Sequence, residues 1–356
     1  MIWPDNIKIK DAISQENNIL DRDIREKYRC IFYGNGRRRK IESASGGFCI
    51  VFKMESKFYP NSFACYRLWT VEPSKNMQKR LEIISKGLTH TKLPYFVNFR
   101  YMDQSMDVSG TVIPGMFMKW VEGMSLGKFI QAKSEDLANG SISVGVLKRE
   151  YSRLASDFFQ MCRDFKYHGI SHGDLSATNI IITPNNKIQL IDYDSVFVPE
   201  MGTNYSQTTG GVNGMQHRDR IETSGKIMMA SAHDDDFSQY VVYLSLLALS
   251  VDPSIGKHCG DQELLFADVS SVSKFCKTSG YLAVSKIAHP EVQFWLKKLY
   301  DAISGPLYSV KSIVDSVMPE SLSKPAGYCI MCGHNYDGTF ESYCPECGEK
   351  RLIISL

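Results

Sequence analysis

From about residue 40 to 120, apolar and polar positions alternate in short runs. GFCIVFKM, FACYRLWT and PGMFMKWV each read as a strand bounded by turn formers or polar residues. Between the second and third, KNMQKRLEIISKGL changes period, with Met77, Leu81, Ile84 and Leu88 at helical spacing. The expectation is an antiparallel sheet with one helix packed on it. From about 120 to 320 long helical patterns take over, as in LKREYSRLASDFFQMCRDFKYHG and DDFSQYVVYLSLLALS. The second is apolar on nearly every face, which predicts a buried central helix. One short strand pair interrupts these helices, NIIITPNN and KIQLIDYD, turning at Pro184-Asn185-Asn186. After SLSKPAG the chain becomes a small unit rich in Cys, Gly and Tyr. No internal repeat is visible.

These patterns give an α+β chain in three parts: residues 1–119, 120–320 and 325–356. At 356 residues, 43% hydrophobic and 22% charged, it is long enough to bury two or three cores. A formal net charge of +2 predicts no strong attraction to nucleic acid or anionic membrane. The basic run Arg37, Arg38, Arg39, Lys40 reads as a solvated loop. The longest apolar run, Tyr240 to Val251, is too short to cross a bilayer. MIWPDNIKIKDAISQ lacks the features of a signal peptide, so the expectation is a cytoplasmic protein. In that setting ten cysteines point to thiols and metal ligands before disulfides.

The chemistry concentrates in ISHGDLSATNIIITPNNKIQLIDYDS. Asp174, Asn179 and Asp192 lie five and then thirteen residues apart. Asn179 opens one strand of the hairpin and Asp192 ends the other, so the turn makes them neighbours. An amide oxygen beside a carboxylate suits a hard cation that keeps waters and phosphate oxygens. Asp174, one loop away, is placed to accept a proton or orient a hydroxyl. Phosphoryl transfer requires these parts: metal neutralisation of phosphate charge and a positioned nucleophile.

HGDLSATN followed by LIDYD resembles the catalytic and metal loops of the protein-kinase-like superfamily, H-R-D-L-x-x-x-N and D-F-G. The resemblance implies a two-lobed fold, with 1–119 holding an N-lobe of antiparallel sheet plus helix and 120–320 a mainly helical C-lobe. It makes Asp174 the catalytic base, Asn179 and Asp192 ligands of Mg2+ (or Mn2+), and His172 structural. SASGGFCIV resembles a glycine-rich phosphate loop through Gly46, Gly47 and Phe48, although Ala44 and Cys49 stand where glycine is frequent. Arg67 in ACYRLWT takes the place of the lysine that pairs with ATP phosphates; the two cations are not interchangeable. Its carboxylate partner is expected from the next helix as Glu82, with Glu72 as rival. MFMKWVEGMSLGKFI resembles the segment that joins the lobes and binds adenine, with Met118 behind the base and Lys119 to Val121 offering backbone hydrogen bonds. Asp235 resembles the helix aspartate that braces the catalytic loop, and Asp234 or Asp236 takes that role with a one-residue shift.

Two departures bear on the kind of kinase. Gly173 replaces the arginine that reads a phosphorylated activation loop, and Ser176 replaces a lysine common in Ser/Thr protein kinases. H-G-D-L-x-x-x-N is also found in small-molecule kinases such as aminoglycoside phosphotransferases. VEGMSL, LIDYDSVFVPEM and GVNGMQHRDR resemble a bacterial family of protein-kinase-like proteins that often carry a C-terminal zinc ribbon. That resemblance implies a role in signalling or stress response and a protein substrate or partner, with von Willebrand A-type or PP2C-type phosphatase proteins among the associates. It spans roughly residues 1 to 320. A pseudokinase scaffold and a small-molecule kinase remain alternatives.

In the tail, Cys329-x2-Cys332 and Cys344-x2-Cys347 are separated by eleven residues. Two such turns offer four thiolates for one tetrahedral Zn2+, closed and therefore structural. A unit so small needs the metal for its folding energy. Its few basic residues, Lys350 and Arg351, point away from nucleic acid and toward docking or bracing. Cysteines 30, 49, 65, 162, 259 and 276 lack ligand spacing.

Overall fold

The structure, a computed structural model, describes residues 3–34, 40–46, 48–211, 214–222 and 228–316. The chain divides into two compact units, Met1–Val121 and Glu122–Leu356. The class is α+β, with a curled antiparallel sheet in the first unit and mainly helices in the second.

The first unit opens with α1 (Asn6–Ile13) and α2 (Arg22–Lys27), capped by Asp5 and Asp21, whose side chains accept from the Lys8 and Ile24 amides. Such caps satisfy helix N–H groups that have no partner within the helix. Strands β1 (Tyr28–Cys30), β2 (Phe32–Tyr33), β3 (Lys40–Ile41), β4 (Ser43–Ser45), β5 (Cys49–Ser56) and β6 (Phe63–Trp69) follow. Helix α3 (Lys75–Thr91) buries Leu81, Ile84 and Leu88 from its predicted stripe. The unit ends with β7 (Phe99–Val108) and β8 (Thr111–Lys119). The sheet runs β1-β5-β6-β8-β7, with β4 also paired to β5.

Alternation along the strands sends two sets of side chains to opposite faces. Ile50, Phe52, Met54, Tyr66, Leu68 and Ile113 join Ile9, Ile13, Ile19 and Ile24 in one core. Residues within 3–34, for which the sequence reading assigned no elements, therefore supply cover for this face. The opposite face carries Val51, Lys53, Arg67 and Met116. Pro114 has no N–H to give a ladder, and it falls where the β7–β8 register shifts between Met102 and Met106. Beside it, a Cβ on Gly115 would lie 2.3 Å from Ser105 Oγ. Glycine there leaves room for Ser105, whose hydroxyl meets the buried Tyr66 hydroxyl at 2.6 Å. The β7–β8 turn is two residues long, Ser109 and Gly110, both at positive φ (54° and 85°). That is the twist-matched hairpin connection.

The second unit contains β9 (Met124–Ser125), α4 (Leu126–Ala138), α5 (Val144–His168), β10 (Ile180–Ile182) and β11 (Ile188–Leu190). Then come α6 (Arg218–Glu222), α7 (Asp236–Val251), α8 (Val272–Phe275), α9 (Ser279–Val284) and α10 (Pro290–Ser304). Helix α5 is amphipathic: Leu147, Tyr151, Leu154, Ala155, Phe158, Met161, Cys162 and Phe165 form its buried stripe. It starts at Ser143, whose Oγ accepts from Val146 N, and ends at Gly169 with φ 64°. Helix α7 is buried on nearly all faces and lies against α5 and α10. Trp295 of α10 packs its ring against Tyr240 and Tyr243 of α7. Truncating a buried leucine such as Leu246 to alanine would cost about 2–5 kcal/mol. Strand β10 pairs with both β9 and β11. No helix among the described residues is long and apolar enough to cross a membrane.

Candidate functional site

The hairpin β10–β11 sets the register of the central residues. Ile180 faces Leu190, and one position further Ile191 N donates to Asn179 O at 3.0 Å. Asn179 and the Ile191-Asp192 step are therefore adjacent across the ladder. From this rung Asn179 reaches back over the loop, where its Nδ2 donates to Asp174 O at 2.8 Å and to Asp174 Oδ2 at 3.1 Å. With the amide hydrogens on Asp174, the Asn179 carbonyl oxygen remains as an acceptor.

His172 is fully buried, and its Nε2 stands 2.9 Å from Ile191 O. A carbonyl only accepts, so Nε2 carries the proton. This bond ties the loop before Asp174 to the residue before Asp192. Asp192 itself is exposed and takes a left-handed backbone (φ 66°, ψ 75°), which turns the chain out of the strand. Tyr193 is buried next to it, and its hydroxyl donates to Leu190 O at 2.8 Å. Asp174, Asn179, His172 and the Ile191 backbone, one residue before Asp192, thus belong to one bonded assembly.

Behind the loop stands Asp235, the residue preceding α7 and 1% exposed. Its Oδ2 accepts from His172 N at 2.5 Å and its Oδ1 from Gly173 N at 2.9 Å. Burial pushes its carboxyl up from the ordinary value, opposed by His172 and Arg220. The neighbouring aspartates act elsewhere. Asp234 accepts from Gln207 Nε2 at 2.8 Å and from Ser231, and Asp236 meets His233 Nδ1 at 2.9 Å. Burial raises Asp236 to about 6. Gly173 has φ 76°, and a Cβ there would lie 2.2 Å from Ser195 O. Arginine at this position would therefore need a different loop.

In the first unit Arg67 is 8% exposed, with its guanidinium carbon 5.4 Å from the Trp69 ring centre. Its rung contains Val51, Met116 and Tyr101, and Trp69 meets Tyr101 edge to face. Glu82 and Glu72 are both exposed; the buried charge of α3 is Arg80. After burial and Asp103, Glu82 helps push the Tyr101 phenol up, which places its charge near that ring. Gly46 N donates to Cys49 O at 2.9 Å, closing the β4–β5 turn. A Cβ at Gly46 would meet nothing nearer than 3.8 Å, so position 46 does not demand glycine. Phe48 is 70% exposed. Met118 faces Cys65 and Phe99, and with Lys119 it lines an open depression beside Phe63. Trp120 N is already spent on Phe63 O (3.1 Å), and Val121 is half-buried.

Gly47 and the four tail cysteines, Cys329, Cys332, Cys344 and Cys347, lie outside the described residues. Among the described residues no cluster of three or more His, Cys, Asp or Glu side chains forms a metal site. The pair Asn179 and Asp192 is a smaller set, one amide and one carboxylate, of the kind that leaves most of a Mg2+ sphere to water and phosphate. Burial pushes the Cys30 and Cys259 thiols up to about 12, which marks them as unreactive.

Two features were absent from the sequence reading. Lys53 shares the face of Arg67 one rung away, with its ammonium 4.1 Å from the Phe63 ring centre and 5.0 Å from that of Trp120. Alternation in GFCIVFKM carried that signal. Arg220, 4% exposed, donates from Nη2 to Gly173 O. Nothing local to Arg220 announces that contact. No protein-family model matches the chain, and no curated protein matches it.

Proposed function

We propose that this chain is an ATP- and Mg-dependent phosphotransferase with a bilobal protein-kinase-like architecture, acting as a Ser/Thr-type protein kinase. The observation that carries the reading is the pair of hydrogen bonds from the Asn179 amide to Asp174. One residue positions the Asp174 carboxylate, and its own amide oxygen remains for a cation. Asn179 Oδ1 and the Asp192 carboxylate would hold Mg2+, with phosphate oxygens and water completing the shell. When bound, the cation neutralises charge on the transferring phosphoryl group. Asp174 orients the acceptor hydroxyl and takes its proton as the new O–P bond forms and the bond from the γ-phosphorus to the bridging oxygen breaks, releasing ADP. Arg67, with Lys53 on the same face, supplies positive charge for the phosphates. The turn at Gly46 is uncrowded and would leave room for them, and Met118 to Val121 offer the surface for the base. The cysteines of the tail would hold a structural Zn2+.

Transfer of labelled phosphate from ATP to the protein itself or to a protein panel tests this. Asp192→Ala is expected to abolish transfer, and Asp174→Asn to lower it by roughly 10²–10⁴. A wild-type protein that transfers nothing with Mg2+ or Mn2+ sinks the reading.

One observation favours a second reading, a nucleotide-binding pseudokinase scaffold: the cation at the phosphate position is an arginine, packed over Trp69 and nearly buried. Thermal stabilisation by Mg-ATP without any turnover would select that reading. Phosphorylation of a sugar or aminoglycoside, with none of protein, would instead select a small-molecule kinase.

A further inference from the structure

Gly173, just before Asp174, is held on three sides. Its N–H, in the preceding peptide, is taken by Asp235 Oδ1 at 2.9 Å. The positive φ of Gly173 brings its Cα side against Ser195 O. Its carbonyl, in the same peptide plane as the Asp174 N–H, accepts from Arg220 Nη2. Arg220 lies in α6, 46 residues beyond Asp174, and nothing in the chemistry assigned above uses it.

The guanidinium is itself locked. Its Nε donates to Gln207 Oε1 at 3.1 Å, and its Nη1 donates to Gln216 Oε1 at 3.0 Å and to Asp234 O at 2.8 Å. Gln207 Nε2 in turn donates to Asp234 Oδ1, and Asp234 also accepts from Ser231 N and Oγ. Ser171 Oγ closes the circuit by donating to Ser231 O at 2.7 Å. The fork of Arg220 therefore reaches four acceptors on separate stretches of chain: 173, 207, 216 and 234. A buried cation held this way cannot swing, and every acceptor it satisfies is held in turn.

We propose that Arg220 is a positioning residue for Asp174. It fixes the Gly173-Asp174 peptide plane from one side while Asn179 fixes the Asp174 carbonyl and carboxylate from the other. The brace is made of unmodified side chains, so the loop is held without a phosphorylated residue. This inference rests on the reading of Asp174 as the group that orients the acceptor hydroxyl. Misplacing such a group by about 1 Å costs on the order of 100-fold in rate.

The test compares Arg220→Met, which keeps length but loses the charge and donors, with Arg220→Lys, which returns one charged donor. Purified full-length proteins are measured for labelled-phosphate transfer and for amide hydrogen exchange over residues 172–176. Arg220→Met is expected to lower kcat about 100-fold, with KM for ATP within about threefold, and Arg220→Lys to recover about tenfold of that loss. Exchange should accelerate at residues 172–176 in Arg220→Met and less so in Arg220→Lys. A folded Arg220→Met with kcat within twofold of wild type overturns the proposal, as does an equal loss in both variants. If Arg220→Met does not fold, Gln207→Leu decides: the Nε partner goes while the guanidinium stays, and kcat should fall several-fold; an unchanged kcat overturns the proposal. An inactive wild-type protein would defeat the phosphotransferase reading. The brace is then judged by exchange alone, where equal rates in wild type and variant overturn it.

Discussion

The loop around Asp174 and the turn around Gly46 belong to one proposed chemistry but are built on opposite plans. At the loop, both sides of Gly173 and both oxygens of Asp235 are committed, and a Cβ at Gly173 would strike a backbone carbonyl. At the turn, one backbone bond closes the strands, Phe48 projects into solvent, and a Cβ at Gly46 would touch nothing closely. On the proposed reading, a group that must take one proton from one hydroxyl gains from being over-determined, and a loop that covers flexible phosphates gains from open space. The contrast is then rigidity where geometry sets the rate and room where a ligand has to enter.

The largest effect that would test this contrast is expected at Asp235. Asp235→Ala leaves the His172 and Gly173 amides buried without an acceptor, at about 1–3 kcal/mol each. Urea unfolding should show a loss on the order of 2–5 kcal/mol, and a loss under 1 kcal/mol would mean that the loop is not over-determined. Asp235→Asn keeps one acceptor and should recover part of it.

Next comes the neighbouring carboxyl, which gives the loop end of α7 a pH dependence. Asp236 stands near 6 in the folded protein against an ordinary 3.8, chiefly because it is buried. The folded protein thus holds that proton more tightly than the unfolded chain. This contribution is complete below about pH 4 and is lost as pH rises through about 6, a change on the order of 3 kcal/mol. Stability measured from pH 4 to 7 should therefore fall less steeply in Asp236→Asn than in wild type. Identical slopes would show that Asp236 titrates alike in both states.

The smallest effect is expected at the open turn. Gly46→Ala should change stability by less than about 0.5 kcal/mol, because the new methyl meets only ordinary contacts. If the turn covers phosphates, the same change should raise KM for ATP several-fold while leaving kcat nearly intact. A large loss of stability there would erase the contrast between the two sites.

Much of the scaffold was legible along the chain. Strands β5, β6 and β8, the stripe of α3 and the wholly apolar α7 follow from hydrophobic period, which is a local property. The neighbourhood of Asn179 and Asp192 followed from a hairpin, since a short turn makes distant positions adjacent. Strand β7 went unassigned. Asp103, Gln104 and Ser105 break the alternation where the strand is irregular, and the reason for that irregularity, Ser105 filling the space over Gly115, lies on another strand. Helices α1 and α2 went unassigned because their apolar residues are sparse until the sheet face that they cover is known. Glu82 was expected as the partner of Arg67 from the kinase resemblance, which takes a carboxylate from the following helix, with Glu72 as rival. Both glutamates are exposed, and no pattern along the chain marked Arg80 as the buried charge on that helix.

By itself the amino-acid sequence determined strands β5, β6, β8, β10 and β11 and helices α3, α5 and α7, and that three polar residues of one loop and hairpin share a neighbourhood. Period and turn chemistry act over a few residues, so they can be read in order. Only the tertiary structure decided which of three consecutive aspartates takes the loop amides, and that Arg220 reaches Gly173. Those choices depend on buried donors and acceptors finding one another across 47 to 63 residues, with a penalty for each left alone, and such pairing leaves no local pattern in the chain.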